Sequence, residues 1–209
     1  MDRADLIYYT YVLALFVFMS SIVLTPYLAF TSDMSGAYKA FEYTCHQKLS
    51  RSLCLFGSVS GYWIADCTNQ SGKYVNDIAD RNTIRVEAGS SVGYKLPVCA
   101  RDLGIYGAML IAAVIYPYFR KIDERDVFPA IYFALALIPI GLDGGVQLVS
   151  DMGLLPFVYE STNLIRLLTG AIAGGAASFY AIPILVNLFG QEEGRIGAEA
   201  RASRRGARK

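Results

Sequence analysis

Histidine and tryptophan are almost missing from this 209-residue chain, with one of each, and none of its four cysteines lies outside residues 45–99. A haem-attachment signature, a Ser-His-Asp nucleophile signature, a Walker loop and a dinucleotide-type glycine pattern are all absent, which sets aside the enzyme classes that carry them. Charge is scarce where the chain is most apolar. Residues 6–30 and 103–119 contain no Asp, Glu, Lys or Arg. No internal repeat is visible, so the paired broken helices of an inverted-repeat transporter are not expected. At this length no room is left for a separate large soluble domain.

What is present is apolar length. Hydrophobic residues make up 54% of the chain and mean hydropathy is +0.36, outside the usual soluble range. About 20 apolar residues cross roughly 30 Å of hydrocarbon. Stretches at about 6–30, 103–119, 127–146 and 163–189 meet that requirement, and the last carries a single charge, Arg166. None has a polar stripe at helical spacing, and four such helices cannot all be the core of one small soluble protein. The expected fold is an all-α membrane protein, a four-transmembrane-helix bundle. A mostly irregular extracytoplasmic segment, 31–102, separates helices 1 and 2. Residues 1–190 are expected to form a single membrane domain. The first apolar run is longer than a signal peptide requires and lacks a clear small-residue cleavage site, so it reads as an uncleaved anchor. Fifteen tyrosines suit helix ends at lipid headgroups.

Basic residues in short loops mark the cytoplasmic side. The loop after the second stretch holds Arg120, Lys121 and Arg125, whereas residues 147–162 hold no Lys or Arg. Alternating sides then places the protein in the cell membrane as a multi-pass chain with both termini cytoplasmic. Residues 191–209 are Gly-, Ala- and Arg-rich and read as a disordered basic tail. The partner expected overall is the lipid bilayer. The tail serves as a topology signal or meets anionic lipid. Nucleic acid is not expected, because aromatic residues do not interleave the basic ones.

In the outer segment, residues 35–49 suit a helix at the membrane surface, with Tyr38, Phe41 and Cys45 on one face. Residues 58–94 are rich in Gly, Ser and Asn and predict loops, with a hairpin where β-prone runs such as 83–86 occur. Asn69-Gln70-Ser71 is a glycosylation sequon. Cys45, Cys54, Cys67 and Cys99 are disulfide candidates in an oxidising compartment. Three connectivities are open, of which Cys45–Cys54 with Cys67–Cys99 is the most local. Metal ligation, redox thiols and buried thiols remain alternatives.

Four motifs occur in order. Cys45-His46 is followed by Arg51-Ser52. Pro97-Val98-Cys99-Ala100-Arg101-Asp102 leads to Gly104-Ile105-Tyr106. Asp143-Gly144 precedes Gln147, and Ser161-Thr162-Asn163 precedes Arg166. Over roughly residues 45–170 the chain resembles a domain-of-unknown-function family of small prokaryotic polytopic membrane proteins. That family shows Cys-His-x4-Arg-Ser, Cys-Ala-Arg-Cys-x-Gly-Ile-Tyr, Asp-Gly-x-x-Gln and Ser-Thr-Asn-x-x-Arg. The chain departs from the pattern at Asp102, where the family has cysteine. Asp102 cannot form a disulfide with Cys99 but can still bind a metal. The resemblance implies a membrane location and a shared polar site, and supplies no activity.

The motifs fall at the outer ends of the spans. Asp143 and Arg166 lie at similar depth, and an ionisable residue near a span turns inward to a partner or a function. They are expected to face each other, as a structural salt bridge or as part of a pocket. The small residues Gly170, Gly174, Gly175, Ala176 and Ala177 suit close helix packing. The pocket candidates are His46, Arg51, Arg101, Asp143, Asn163 and Arg166. The arginines are suited to phosphate or carboxylate and His46 to acid–base work. Cys45, His46, Cys99 and Asp102 are the candidate ligands of a divalent metal. Four readings follow: a pocket at the extracytoplasmic face that binds or acts on a lipid-borne or anionic group, a metal site, a thiol–disulfide redox protein, and a non-catalytic structural or accessory subunit. Loss of the second cysteine at position 102 weighs against the redox reading.

Overall fold

Apolar length decides the helices. The computed structural model describes residues 2–45, 48–59, 61–68 and 83–190. Among them, α1 spans Arg3–Leu28, a short α2 spans Ser35–Phe41, α3 Ala100–Phe119, α4 Ala130–Asp151 and α5 Asn163–Gly190. At 1.5 Å per residue the 20 residues of α3 cover about 30 Å, one hydrocarbon thickness. Four of these helices are long and apolar enough to cross a membrane. Most of their large apolar side chains face outward, as in Leu13, Phe16 and Val17 on α1 and Ile131, Leu135 and Leu142 on α4. In lipid such a face is solvated; in water it would be an aggregation surface.

Helices α3 and α5 make the most extensive interface, and glycine permits it. A Cβ at Gly104 would strike the Leu167 carbonyl oxygen, one at Gly170 that of Arg101, and one at Gly174 that of Ile105. The backbones touch, so dispersion and helix–helix contact replace side-chain interdigitation. Of the expected small-residue face, Gly170 and Gly174 meet α3, whereas Gly175 has open space. The pairs Arg101 with Gly170 and Ile105 with Gly174 progress together, so α3 and α5 run parallel and start at the same end. Helix α1 packs on both, and α4 packs on α5. Inside, Tyr8, Leu15, Ala113, Tyr116 and Ile182 form one core. The Tyr8 hydroxyl donates to the Ala113 carbonyl at 2.9 Å, and Ser178 Oγ donates to the Met109 carbonyl at 2.8 Å, which satisfies polar groups that lipid could not.

The expectation of an all-α chain with a mostly irregular outer segment is corrected here. Strands β1 (Leu53–Ser58), β2 (Gly61–Asp66), β3 (Arg85–Ala88) and β4 (Ser91–Lys95) form an antiparallel sheet in the order β2-β1-β4-β3. Strand β1 alternates, burying Cys54 and Phe56, and β2 is aromatic and β-branched, with Trp63 stacked on Phe56 at 5.7 Å. Gly89 and Ser90 turn the chain between β3 and β4, whereas Ser58, Gly61, Ser91 and Gly93, which read as loop, lie within strands. The central pairing of β1 with β4 joins distant segments, which composition does not reveal.

The same register decides the disulfide. Cys54 pairs with Ala65 across the hairpin, so the returning chain brings Cys67 beside Cys54, and these two are bonded. The local alternative, Cys45–Cys54 with Cys67–Cys99, is therefore overturned. A core of Leu49, Cys54, Phe56, Cys67 and Val86 fills the sheet. A junction core of Ile22, Phe41, Cys45, Leu96 and Val98 joins the sheet to the bundle. Helix α2 ends at Phe41, before the expected 49, but Tyr38, Phe41 and Cys45 are all buried.

Candidate functional site

The sheet end of the bundle gathers the start of α3, the end of α4, the start of α5 and the 3₁₀ turn Leu49–Arg51. Because α3 and α5 are parallel, both positive helix ends point here. A cavity of about 370 Å³ opens between them, lined by Thr44, Cys45, Lys48, Arg51, Cys99, Arg101, Asp102 and Arg166. Four of the eight lining side chains are cationic and one is acidic.

Each arginine is held from behind. Arg101 donates to Asp143 Oδ2, and the Tyr159 hydroxyl donates to the other oxygen, Oδ1, at 3.0 Å. The Asp143 side chain is 3% exposed and that of Arg101 25%. Arg166 is 2% exposed. Its guanidinium donates to Asn163 Oδ1 at 3.1 Å and lies 3.7 Å from the Glu160 carboxylate at the rim. With the Gln147 carboxamide turned so that its oxygen faces the cations, that oxygen accepts from Arg166 at 3.0 Å and from Arg51 at 2.8 Å. Arg51 also reaches Asp151 at 3.4 Å. The Nε atoms of Arg51, Arg101 and Arg166 are buried with no hydrogen-bond partner among the described residues.

Asp143 therefore pairs with Arg101 rather than with Arg166. The i, i+4 spacing of Asp143 and Gln147 on α4 divides the work: the carboxylate takes Arg101, and Gln147, one turn further out, takes Arg166. Asn163 does not line the cavity. Its amide donates to Asp66 Oδ2 at 2.8 Å, linking the start of α5 to the end of β2, while its oxygen holds Arg166.

The same lining includes Cys45, Cys99 and Asp102. Cys99 caps the N-terminus of α3 and Asp102 sits in its first turn. The Cys99 Sγ lies 3.1 Å from Asp102 Oδ2, and the Cys99 backbone N–H donates to Cys45 Sγ at 3.2 Å. One ligand atom from each of the three lies within 4.8 Å of the others. Cys45 and Cys99 are thiols. The hydrogen bond with Cys45, burial, and the negative charge of Asp102 push the Cys99 thiol above its ordinary range.

Of the residues singled out from the sequence, Arg51, Arg101 and Arg166 share the cavity with Cys45, Cys99 and Asp102, while Asp143 and Asn163 support it from behind. His46, the sequon at Asn69 and the basic tail lie outside the described residues. Lys48, Gln147 and Tyr159 were not among the candidates. Gln147 carried a signal, its turn spacing from Asp143; Tyr159 sits in a loop where periodicity says nothing.

Residues 90–180 match the family model described as a predicted membrane protein, DUF2085. The chain is 30% identical over 190 residues to an uncharacterized protein of Methanocaldococcus jannaschii, covering 87% of this chain and 94% of that protein. No solved structure matches the chain.

Proposed function

Because the chain belongs to the DUF2085 family of predicted membrane proteins, whose setting is the lipid bilayer, we propose that its sheet-capped end is an extracytoplasmic binding site for an anionic, lipid-borne group. The phosphate or carboxylate of a headgroup is the chemistry intended. The carrying observation is one cavity lined by Lys48, Arg51, Arg101 and Arg166, with Arg166 almost wholly buried. Burying a guanidinium is unfavourable unless it is paired and hydrogen-bonded. Neutral amides hold Arg166 on two sides, and the nearest carboxylate, Glu160, is at the rim. Glu160 is half-exposed and screened by water, so an anion bound in the cavity would give the buried Arg166 a desolvated counter-charge. The two helix N-termini favour the same sign. Arginine presents a planar fork matched to phosphate and carboxylate oxygens.

The orientation follows from the other end of the bundle, where Arg120, Lys121 and Arg125 occupy the short connection between α3 and α4. Both termini are then cytoplasmic, and the sheet-capped end with its cavity falls on the outer side of the membrane.

The test is lipid retention. Protein in nanodiscs of zwitterionic lipid is titrated with a phosphate-headgroup lipid, and in parallel with inorganic phosphate. A charge-assisted hydrogen bond contributes about 1.5–3 kcal/mol, so Arg51→Gln should weaken binding by roughly 10–100-fold. Arg166→Gln should do the same where it still folds. Binding of the lipid but not of inorganic phosphate assigns a headgroup, and binding of both assigns phosphate itself. Equal retention of zwitterionic and anionic lipid, unchanged by either variant, refutes the reading.

A further inference from the structure

We propose that Cys45, Cys99 and Asp102 form a three-ligand site for a borderline-soft divalent ion, zinc before others, whose open coordination position faces the arginine-lined cavity. What the open position takes rests on the anion reading above; the ion site itself does not.

Ligand geometry comes first. In a tetrahedral zinc site with sulfur at about 2.3 Å and oxygen at about 2.1 Å, ligand atoms stand roughly 3.5–3.8 Å from one another. Here Cys99 Sγ and Asp102 Oδ2 are 3.1 Å apart and the whole trio lies within 4.8 Å. Movements of well under a side-chain rotamer change would admit the ion.

The trio is also fixed in place. Cys99 and Asp102 are three residues apart on the rigid start of α3, so one helical turn aims both at the same point. Cys45 comes from a different segment and is locked in the junction core with Ile22, Phe41, Leu96 and Val98. Its sulfur accepts the Cys99 backbone N–H, the kind of outer contact that orients a metal-bound thiolate.

Composition of the set chooses the ion. Two sulfurs and one carboxylate favour zinc over magnesium or calcium, which require oxygen ligands. A simple Cys45–Cys99 disulfide would not use the placement of the Asp102 carboxylate against the Cys99 sulfur. All three ligands line the cavity together with the arginines, and no fourth His, Cys, Asp or Glu joins them among the described residues, so the open position faces that space. Exchanging two thiol protons for one dication leaves the formal charge of the lining as it was, and the site stays attractive to anions. A bound phosphate or carboxylate oxygen would then complete the tetrahedron while the arginines hold its other oxygens. Three protein ligands with one open position is the arrangement of catalytic rather than structural zinc.

The experiment uses the full chain purified in detergent, with thiols kept reduced, and cobalt(II) as the probe. One equivalent of cobalt should give a thiolate-to-metal charge-transfer band and strong visible bands of a four-coordinate ion. Added zinc should abolish both. Cys45→Ser and Cys99→Ser should each remove most of the charge-transfer intensity, and Asp102→Asn should weaken cobalt binding at least tenfold. The Cys54→Ser/Cys67→Ser double variant, if it folds, should keep the bands. Inorganic phosphate should shift the visible bands in the parent protein but not in Arg51→Gln. Bands that stay while phosphate shifts nothing retain the ion site and remove the anion from it. No charge-transfer band with Cys45 and Cys99 both open to alkylation overturns the proposal. So does a Cys45–Cys99 disulfide that persists in protein purified from cells and resists metal reconstitution after reduction.

Discussion

The carboxylate of Asp143 offers a sharp test of the reasoning, because the structure assigns it one partner where the sequence suggests another. Asp143 and Arg101 are to be replaced singly and together, as Asp143→Asn and Arg101→Gln, with the Asp143→Asn/Arg166→Gln pair as comparison. Unit charges about 4 Å apart interact by about 4 kcal/mol at an effective dielectric of 20. The Arg101 side chain is 25% exposed, so water screens part of this. A coupling near 2 kcal/mol is expected for Asp143 with Arg101, inside the range of about 0.5–3 kcal/mol found for contacting residues. Asp143→Asn alone should destabilise by about 3 kcal/mol, since Arg101 loses its counter-charge and Tyr159 its ionised acceptor. Unfolding is followed in mixed micelles of rising denaturing-detergent fraction. Far-ultraviolet circular dichroism reports the helices and Trp63, stacked on Phe56, reports the sheet. A coupling below about 0.5 kcal/mol for Asp143 with Arg101, or a larger one for Asp143 with Arg166, refutes the assignment.

Two further outcomes are expected. Gly174→Val should prevent stable folding, because its side chain meets the Ile105 backbone and backbone cannot give way, whereas Gly175→Ala should fold and gain up to about 1 kcal/mol from helix propensity; the same unfolding assay decides. Alkylation of the denatured, unreduced protein should label the two cysteines Cys45 and Cys99 by intact mass, and Cys54→Ser/Cys67→Ser should lose about 3 kcal/mol for a loop with a sequence separation of 13. Labelling of none or of all four cysteines contradicts the pairing.

How much was legible in advance varies by element. Residues 6–30, 103–119 and 163–189 announce helices because a membrane helix needs only local apolar length, and its hydrogen bonds close within the segment. The arginines and Asp143 were visible as candidates because charge beside a span is costly and stands out. The sheet was hidden, since β1 finds its second neighbour, β4, across the whole outer segment. Gln147 was half visible through its spacing from Asp143, and Tyr159 not at all.

By itself the sequence determined the membrane setting, the four long helices and a polar end rich in cysteine and arginine. These follow from composition within short windows, where hydrophobic transfer and backbone hydrogen bonding act locally. Only the tertiary structure decided that Asp143 takes Arg101, that Cys54 takes Cys67, and that Cys45, Cys99 and Asp102 share a cavity with Arg51 and Arg166. Those partners depend on sheet register and on the parallel glycine contact of α3 with α5. Both are agreements between segments far apart in the chain, and nothing in the composition of either segment alone specifies them.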